Sequence, residues 1–359
     1  MRYPAVSLCL SVLGLLAGPL EAQESHEGHG GSGVPKTQIG GFVDVTARAT
    51  SQTGEHSSFA LGQYDMFITS RLADHVSFIG ETVFEFDEDF VVDVERIVIA
   101  FSPKPYLRLA AGKHHTPYGY WNNAYHHGTL FQPTIDRPLA LRFEDDGGPF
   151  PIHTTGFLVS GRDISRLHLG YDVLIGNGIG STPIGDNNRA KSYTIAVHSQ
   201  VTSGLRVGAS VYLDRIAAGT PSLAGTPLAN PGLAGPPVPA RVDQRMFGAF
   251  AAYLNPTWEA IGEFYRSENT LLSGPKTGMN AFFIYVGRRF GKVVPYLRYD
   301  ELDFSSSDPY YPNDDTRLGL VGARYDLAAA VGFKLELQRQ KSTSAGASTL
   351  ATGQVSVGF

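Results

Sequence analysis

From Thr37 onward, apolar and polar residues alternate with a period of two in one segment after another. In VGFKLELQRQ, residues 331–340, the apolar side chains at 331, 333, 335 and 337 would lie on one face of a strand, and the polar ones at 334, 336 and 338 on the other. The chain ends in the same way, with Val355 and Val357 before Phe359. This alternation predicts strands that are apolar on one side only.

The connections between these segments alternate between short and long. The sixteen candidate strands are residues 37–49, 59–72, 76–86, 92–101, 106–114, 153–160, 166–175, 192–201, 205–215, 243–254, 258–266, 280–290, 293–301, 316–326, 331–340 and 349–359. Short connections such as 73–75 and 255–256 are interspersed with long ones at 115–152, 176–191, 216–242 and 302–315. Because outer-membrane barrels have tight periplasmic turns and long external loops, we predict a closed antiparallel transmembrane β-barrel of about sixteen strands, or eighteen if a long loop contains a hairpin.

The sheet must close into a barrel because lipid surrounds it. In lipid every backbone amide and carbonyl must be bonded internally, which an open sheet edge cannot achieve. A Lys or Arg on the lipid face costs about 2–4 kcal/mol at the midplane, so charged side chains on the strands should face the lumen. These predicted lumen-facing residues are Glu263, Arg298, Lys334 and Glu336. The segment VDVERIVIAF, residues 92–101, has charges on both faces, and either a β-bulge or a position at the membrane interface would account for them.

The first 22 residues have the pattern of a secretory signal peptide, with basic Arg2 before an apolar run from Ala5 to Ala17. That run is well short of the ~20 residues of a spanning helix. The only cysteine, Cys9, lies within it. Residues 23–36 form a His/Gly-rich leader that we expect to be flexible and solvated, although its histidines offer metal ligands, and residues 37–359 form the barrel. The formal net charge of −5 argues against nucleic acid as a partner.

Two stretches resemble known outer-membrane proteins. Phe359, with apolar residues at alternate positions before it, resembles the assembly signal of bacterial outer-membrane proteins. The stretch LRLAAGKHHTPYGYWN resembles a segment of the phosphate-selective porins O and P, with Gly112, Pro117, Tyr118 and Gly119 at the matching positions. Those porins owe their anion preference to lysine-rich loops, and residues 113–152 contain only one lysine, so phosphate selectivity is not carried over.

The resemblance implies a passive channel for small hydrophilic solutes or ions, in which the third external loop, residues 115–152, folds into the lumen and narrows it. Loops this long without regular structure are usually functional or disordered, and this one is aromatic and anchored by prolines. The candidate constriction residues are Lys113, His114, His115, Tyr118, Tyr120, Trp121, His126, His127, Asp136, Arg137, Arg142, Glu144 and Asp145.

Three other interpretations stay open. His114, His115, His126 and His127 could bind a metal, which would make the chain a metal- or ligand-binding barrel, although adjacent residues tend to point apart and no known ligand spacing accompanies them. If they line the aperture instead, protonation at low pH should shift selectivity toward anions. An enzyme is disfavoured because His153, Ser160 and Asp163 have no nucleophile motif around them. An adhesion barrel would use loops such as residues 217–240.

The expected partners follow from the barrel. They are outer-membrane lipid, the barrel assembly machinery and small hydrophilic solutes, with no cofactor and no nucleic acid. Porins often assemble as trimers, so a homotrimer is an open alternative. We expect the chain to reside in a bacterial outer membrane.

Overall fold

The computed structural model describes residues 35–51, 56–86, 90–126, 128–143, 148–182, 184–224, 235–272 and 274–359. The predicted signal peptide and the leader up to residue 34 lie outside these residues. In chain order the strands are β1 (Lys36–Thr50), β2 (Ser58–Ala73), β3 (Val76–Phe86), β4 (Phe90–Lys104), β5 (Leu107–His115), β6 (His153–Ile164), β7 (Leu169–Gly176), β8 (Ser192–Gln200), β9 (Leu205–Ile216), β10 (Pro221–Ser222), β11 (Gly235–Pro237), β12 (Val242–Leu254), β13 (Trp258–Leu271), β14 (Lys276–Arg288), β15 (Val293–Phe304), β16 (Thr316–Ala328), β17 (Val331–Ser342) and β18 (Gly346–Gly358).

Sixteen of these strands, β1–β9 and β12–β18, form one closed antiparallel barrel in which each strand pairs with its neighbours along the chain. The barrel closes where β1 pairs with β18, from Phe42 opposite Gly358 to Thr50 opposite Leu350. The predicted fold class is therefore confirmed. The hairpin of β10 and β11 lies in the loop between β9 and β12 and forms a separate sheet, so the barrel itself has sixteen strands and not eighteen.

The two faces of the barrel differ in polarity, as β17 illustrates. Leu335 and Leu337 point outward with 69% and 52% of their surface exposed, whereas Lys334 and Glu336 point inward with 1% and 6% exposed. A continuous apolar exterior of this kind is stable where lipid covers it. Period-two alternation therefore places Lys334 and Glu336 inside the barrel, whereas Arg339 and Lys341 near the end of β17 are exposed on the outer face.

A β-bulge resolves the charge pattern in β4. Glu81 on β3 pairs with Arg96 and Thr82 pairs with Val94, so Glu95 is an extra residue with no partner across the strand pair. A bulge lets two consecutive side chains point to the same side. Glu95 is buried, and the Arg96 guanidinium lies 2.8 Å from the inward-facing Glu81 carboxylate. The bulge alternative for residues 92–101 is the one the structure adopts.

The longest loop connects β5 to β6 and contains the two short helical segments of the described chain. The helix α1 spans Trp121–Ala124, and a 3-10 turn spans Leu139–Leu141. No helix among the described residues is long and apolar enough to cross a membrane.

Candidate functional site

The loop between β5 and β6 lies inside the barrel, where inward-facing carboxylates accept hydrogen bonds from its backbone. Residues of β13, β15 and β17 supply these carboxylates. The pairs are Trp121 N–H to Glu263 at 2.6 Å, Leu139 N–H to Asp300 at 2.9 Å and Ile135 N–H to Glu336 at 2.8 Å. These bonds satisfy amides of an irregular segment that would otherwise be buried without partners.

Two inward-facing cations, Arg298 and Lys334, donate hydrogen bonds to oxygen acceptors of the same loop. Arg298 donates to the hydroxyl of Thr134 at 2.5 Å and to the carbonyl of Asp136 at 2.6 Å, and its own carboxylate partner is Asp300 at 2.9 Å. Lys334 donates to the carbonyl of Thr129. The four residues expected to face the lumen, Glu263, Arg298, Lys334 and Glu336, thus all contact the loop.

Aromatic side chains pack the start of the loop against the wall. Tyr118 and Trp121 have no exposed surface, and their rings lie 6.0 Å from Tyr265 and 5.7 Å from Phe283 respectively. Gly119 adopts φ +65°, and a Cβ there would lie 2.0 Å from the Tyr265 hydroxyl oxygen. Tyr118 and Trp121, which were expected at the aperture, instead hold the loop in place.

Of the charged residues expected at the constriction, Arg137 bonds within the loop and Asp136 bonds to the barrel wall. Arg137 is buried and bonds within the loop, to the carbonyl of His126 at 2.5 Å, with its guanidinium 4.4 Å from the Phe143 ring centroid. Asp136 forms an ion pair with Arg48 of β1 at 2.9 Å. Arg142 is half-buried. His127, Glu144 and Asp145 lie outside the described residues.

A cavity of about 520 Å³ runs beside the docked loop toward the short turns. Inward-facing residues of β3–β7 line one side of it, and Pro117 and Asn123 of the loop lie at its border. The charged residues in its lining are Arg96, Lys104, Arg108, Arg162 and Asp172. Four cationic side chains and one carboxylate line this wall, and Arg96 also pairs with the buried Glu81 behind it, so the wall has a basic excess from Lys104 and Arg108 in a chain whose formal charge is −5.

The arginines of this wall differ in their partners. Arg162 pairs with Asp172 at 2.8 Å, whereas Arg108 forms no ion pair with any residue that the structure describes. On β9, which β8 separates from this wall, Arg206 lies 3.2 Å from the ring nitrogens of His198 and 6.0 Å from the ring centroid of Tyr120. Tyr120 is half-buried, and its place at a constriction stays a prediction.

The histidines separate into two groups. His114 is buried, and its Nε2 lies 3.3 Å from the carbonyl of Gly156. His115 and His126 instead meet His153, and the ligand nitrogens of these three lie within 4.8 Å of one another. Lys113 donates to the carbonyl of Val94 at 2.9 Å, and its Nζ lies 3.8 Å from Oε2 of Glu95, the carboxylate that also contacts His153.

Sequence reasoning missed the place of His153 beside the other two histidines. The signal was present, because His115 ends β5, His153 begins β6, and the two are cross-strand partners. Pairing the two strands that flank the loop would have brought these residues together, although they are 38 positions apart in the sequence.

Comparison with solved structures identifies the architecture. The anion-selective porin from Comamonas acidovorans superposes with a TM-score of 0.64 at 13% identity, over 91% of this chain and 100% of that one. The outer membrane channel DcaP of Acinetobacter baumannii matches with a TM-score of 0.62 at 9% identity, over 92% of this chain and 99% of that one. The trimer form of OmpT, an outer membrane protein of Vibrio cholerae, matches with a TM-score of 0.63 at 11% identity, over 91% of this chain and 100% of that one. The fold is that of a porin barrel.

No protein-family model matches the chain, and no curated protein matches it. At these identities the likeness establishes the barrel fold alone. The resemblance of Gly112, Pro117, Tyr118 and Gly119 to the phosphate-selective porins stays a prediction.

Proposed function

We propose that the chain is a porin of a bacterial outer membrane, a passive diffusion channel for small hydrophilic solutes or ions that is constricted by the loop 115–152. The observation that carries this proposal is the docked loop, which is bonded to β13 and β17 on one side of the barrel and leaves a cavity with charged residues in its lining on the other. A sixteen-stranded barrel without an inserted loop encloses a wide aqueous channel. An inserted loop is therefore the element that would set the size limit for solutes.

Anions are the favoured solutes. The lining of the cavity contains four cationic side chains and one carboxylate, and low-dielectric walls concentrate the field of such groups in the passage. One structural neighbour is described as an anion-selective porin, which agrees with this charge pattern. The favoured solutes are small inorganic anions or organic acids, and no single compound is singled out.

The experiment is conductance of the purified protein in a planar bilayer with a salt gradient. Discrete steps and a reversal potential of the sign for anion permeation are expected. Swelling of protein-loaded liposomes should show that small sugars enter and larger ones do not. A barrel that inserts stably and gives no conductance would refute the channel, and a reversal potential of the opposite sign would refute the anion preference alone.

The outer-membrane location rests on the same fold and on the N-terminal sequence. We expect export to remove residues 1–22, so that the mature chain begins at Gln23, and we expect the barrel assembly machinery to insert it through a signal that includes Phe359. N-terminal sequencing of the protein from isolated outer membranes tests the first point. Deletion of Phe359 tests the second, since unassembled protein should then accumulate.

A homotrimer is the assembly we propose. It is supported by the trimer form of one neighbour and by the apolar exterior available for contact between barrels. Native mass spectrometry in detergent should give three chains per particle, and a monomer that conducts fully would contradict it. The absence of enzymatic activity stays a prediction.

A further inference from the structure

We propose that His115, His126 and His153, together with Glu95, bind one divalent metal ion of the kind that prefers imidazole, with Zn²⁺ as the representative. The ion would fasten the inserted loop to the barrel wall. Its ligands come from the end of β5, the middle of the loop, the start of β6 and the bulge of β4. This proposal goes beyond channel function, and it does not depend on the solute.

The ligand atoms already converge. The Nε2 atoms of His126 and His153 are 2.6 Å apart, and the Nε2 of His153 lies 2.7 Å from Oε2 of Glu95. His115 stacks on His126 with ring centroids 3.6 Å apart. The three imidazoles have ligand nitrogens within 4.8 Å of one another. Three imidazoles and one carboxylate form a donor set that suits zinc.

The hydrogen bonds of Asn122 determine which nitrogen of His126 is available. The Oδ1 of Asn122 lies 2.9 Å from Nδ1 of His126, and it also accepts a hydrogen bond from Arg137 at 3.1 Å. The amide group of Asn122 donates to the carbonyl of Thr116 at 2.9 Å, which is consistent with that orientation. An amide oxygen only accepts, so Nδ1 of neutral His126 carries the proton and Nε2 presents a lone pair.

The Nε2 of His153 is then within hydrogen-bond distance of two acceptors, the lone pair of His126 and the carboxylate of Glu95. A single N–H cannot be directed well at both. A cation in place of that proton would be coordinated by all three atoms at once. Metal-ligating histidines are commonly oriented by an acceptor at the other ring nitrogen, which is the role Asn122 has for His126.

Metal binding requires adjustments of distance and of ring orientation, because the rings of His115 and His126 are stacked at 15° and an imidazole binds a metal ion in its own plane. Zinc binds imidazole nitrogen at about 2.0–2.1 Å, so tetrahedral ligands stand about 3.3 Å from one another. The two short contacts, 2.6 and 2.7 Å, must open by under about 1 Å. The ligand nitrogen of His115, which lies within 4.8 Å of the others, must approach by up to about 1.5 Å. His126 belongs to the loop, whereas His115 and His153 are paired across β5 and β6, so the loop is the part that would shift.

A bound ion would change how the loop is held. Without it, hydrogen bonds attach the loop mainly to β13, β15 and β17. On the opposite side, next to the cavity that His115 also lines, the loop already contacts β6 through His126 and His153 at 2.6 Å, and the ion would replace that contact by coordination to four side chains. Zinc would therefore reduce movement of the loop relative to both walls.

The first experiment measures zinc binding to the purified full chain in detergent by calorimetry, after treatment with a chelator. One Zn²⁺ per chain is expected, with no comparable heat from Mg²⁺, which prefers oxygen ligands. X-ray absorption should place nitrogen ligands about 2.0–2.1 Å from the zinc. Absence of stoichiometric zinc binding would overturn the proposal.

Variants then assign the site. His126→Ala and His153→Ala should abolish stoichiometric binding, and Asn122→Ala should weaken it about 10- to 100-fold as the loss of an orienting partner. The matched control is His168→Gln, which removes an exposed histidine 3.3 Å from Asp163. A second control replaces His26 and His29 of the leader by Gln. Zinc binding that survives the cluster variants and disappears with the leader histidines would overturn the assignment.

A second readout tests the fastening of the loop. In a Thr129→Cys background, reaction with a bulky thiol reagent should slow when zinc is added, and His153→Ala should remove the effect. Zinc binding without any change in labelling would overturn the fastening role. Both measurements are made without a conductance assay, so a failure of channel function and a failure of metal binding are distinguishable.

Discussion

Substitution of Arg108 tests the electrostatic basis of permeation most directly. Arg96 and Arg162 each hold a carboxylate at 2.8 Å, so removing either would leave an acidic group without its partner. Arg108 lines the same cavity and forms no ion pair within the described part of the chain. Arg108→Gln therefore changes the field with the least disturbance of structure.

The size of the effect follows from Coulomb's law. An anion about 5 Å from the guanidinium gains about 0.8 kcal/mol at the dielectric constant of water. Screening with a Debye length of about 10 Å at 0.1 M salt reduces this to about 0.5 kcal/mol. That energy raises the occupancy of an anion near the guanidinium by a factor of about 2.3 and lowers the occupancy of a cation by the same factor. The anion-to-cation permeability ratio should therefore fall about fivefold in Arg108→Gln.

The assay is the reversal potential of the purified variant in a planar bilayer at 0.1 M mean salt, a condition chosen to match the Debye length used above. Arg108→Lys retains the charge and should keep the wild-type ratio. Arg166→Gln, in the exposed turn after β6, removes one cation away from the cavity and should also leave the ratio unchanged. An unchanged ratio in Arg108→Gln would show that ions do not pass along this wall.

Three other substitutions test the loop and the faces of the barrel. Asp300→Asn breaks a buried ion pair at 2.9 Å and should loosen the loop by about 3–5 kcal/mol, measured as faster amide hydrogen exchange at residues 137–141. Its neighbour on β15, Glu301, pairs with an exposed arginine, so Glu301→Gln should leave that exchange unchanged. Gly119→Ala should lower the urea midpoint of unfolding more than Gly291→Ala, because both residues have positive φ and only the first Cβ meets other atoms within 4 Å. Leu335→Lys on the lipid face should destabilise the folded barrel by about 2–4 kcal/mol in refolding titrations into lipid vesicles. Equal exchange, equal midpoints or an unchanged titration, respectively, would contradict these expectations.

The barrel could be predicted from the sequence because one local rule repeats around it. Lys334 and Leu335 are adjacent, and the period of two alone sends one inward and the other outward. The alternation of short and long connections then predicted an outer-membrane barrel, which must be closed, and the number of segments predicted about sixteen strands. The bulge at Glu95 could be anticipated as one alternative, but its position depends on the register with Glu81 on β3.

The interior of the lumen could not be predicted in the same way. Contacts such as Trp121 N–H to Glu263 join residues 142 positions apart through an irregular backbone, for which the sequence carries no period. Arg137 was expected beside the passage and is folded into the loop, because the carbonyl of His126 and the Phe143 ring stabilise it there. The grouping of His126 with His153 depends on the same loop conformation.

The seam between β1 and β18 has a consequence for the order of folding. Its paired residues are about 300 positions apart, whereas a hairpin such as β17–β18 begins from Ser342 and Gly346. Because the entropy of loop closure grows with the logarithm of length, joining the seam costs about 3 kcal/mol more than closing a hairpin of ten residues. The pairing of β1 with β18 should therefore form after the hairpins. Until it forms, both terminal strands have unpaired edges that can pair with other chains and aggregate. Refolding rates should accordingly respond more to substitutions at Phe42 and Val357 than to equally disruptive ones within a single hairpin.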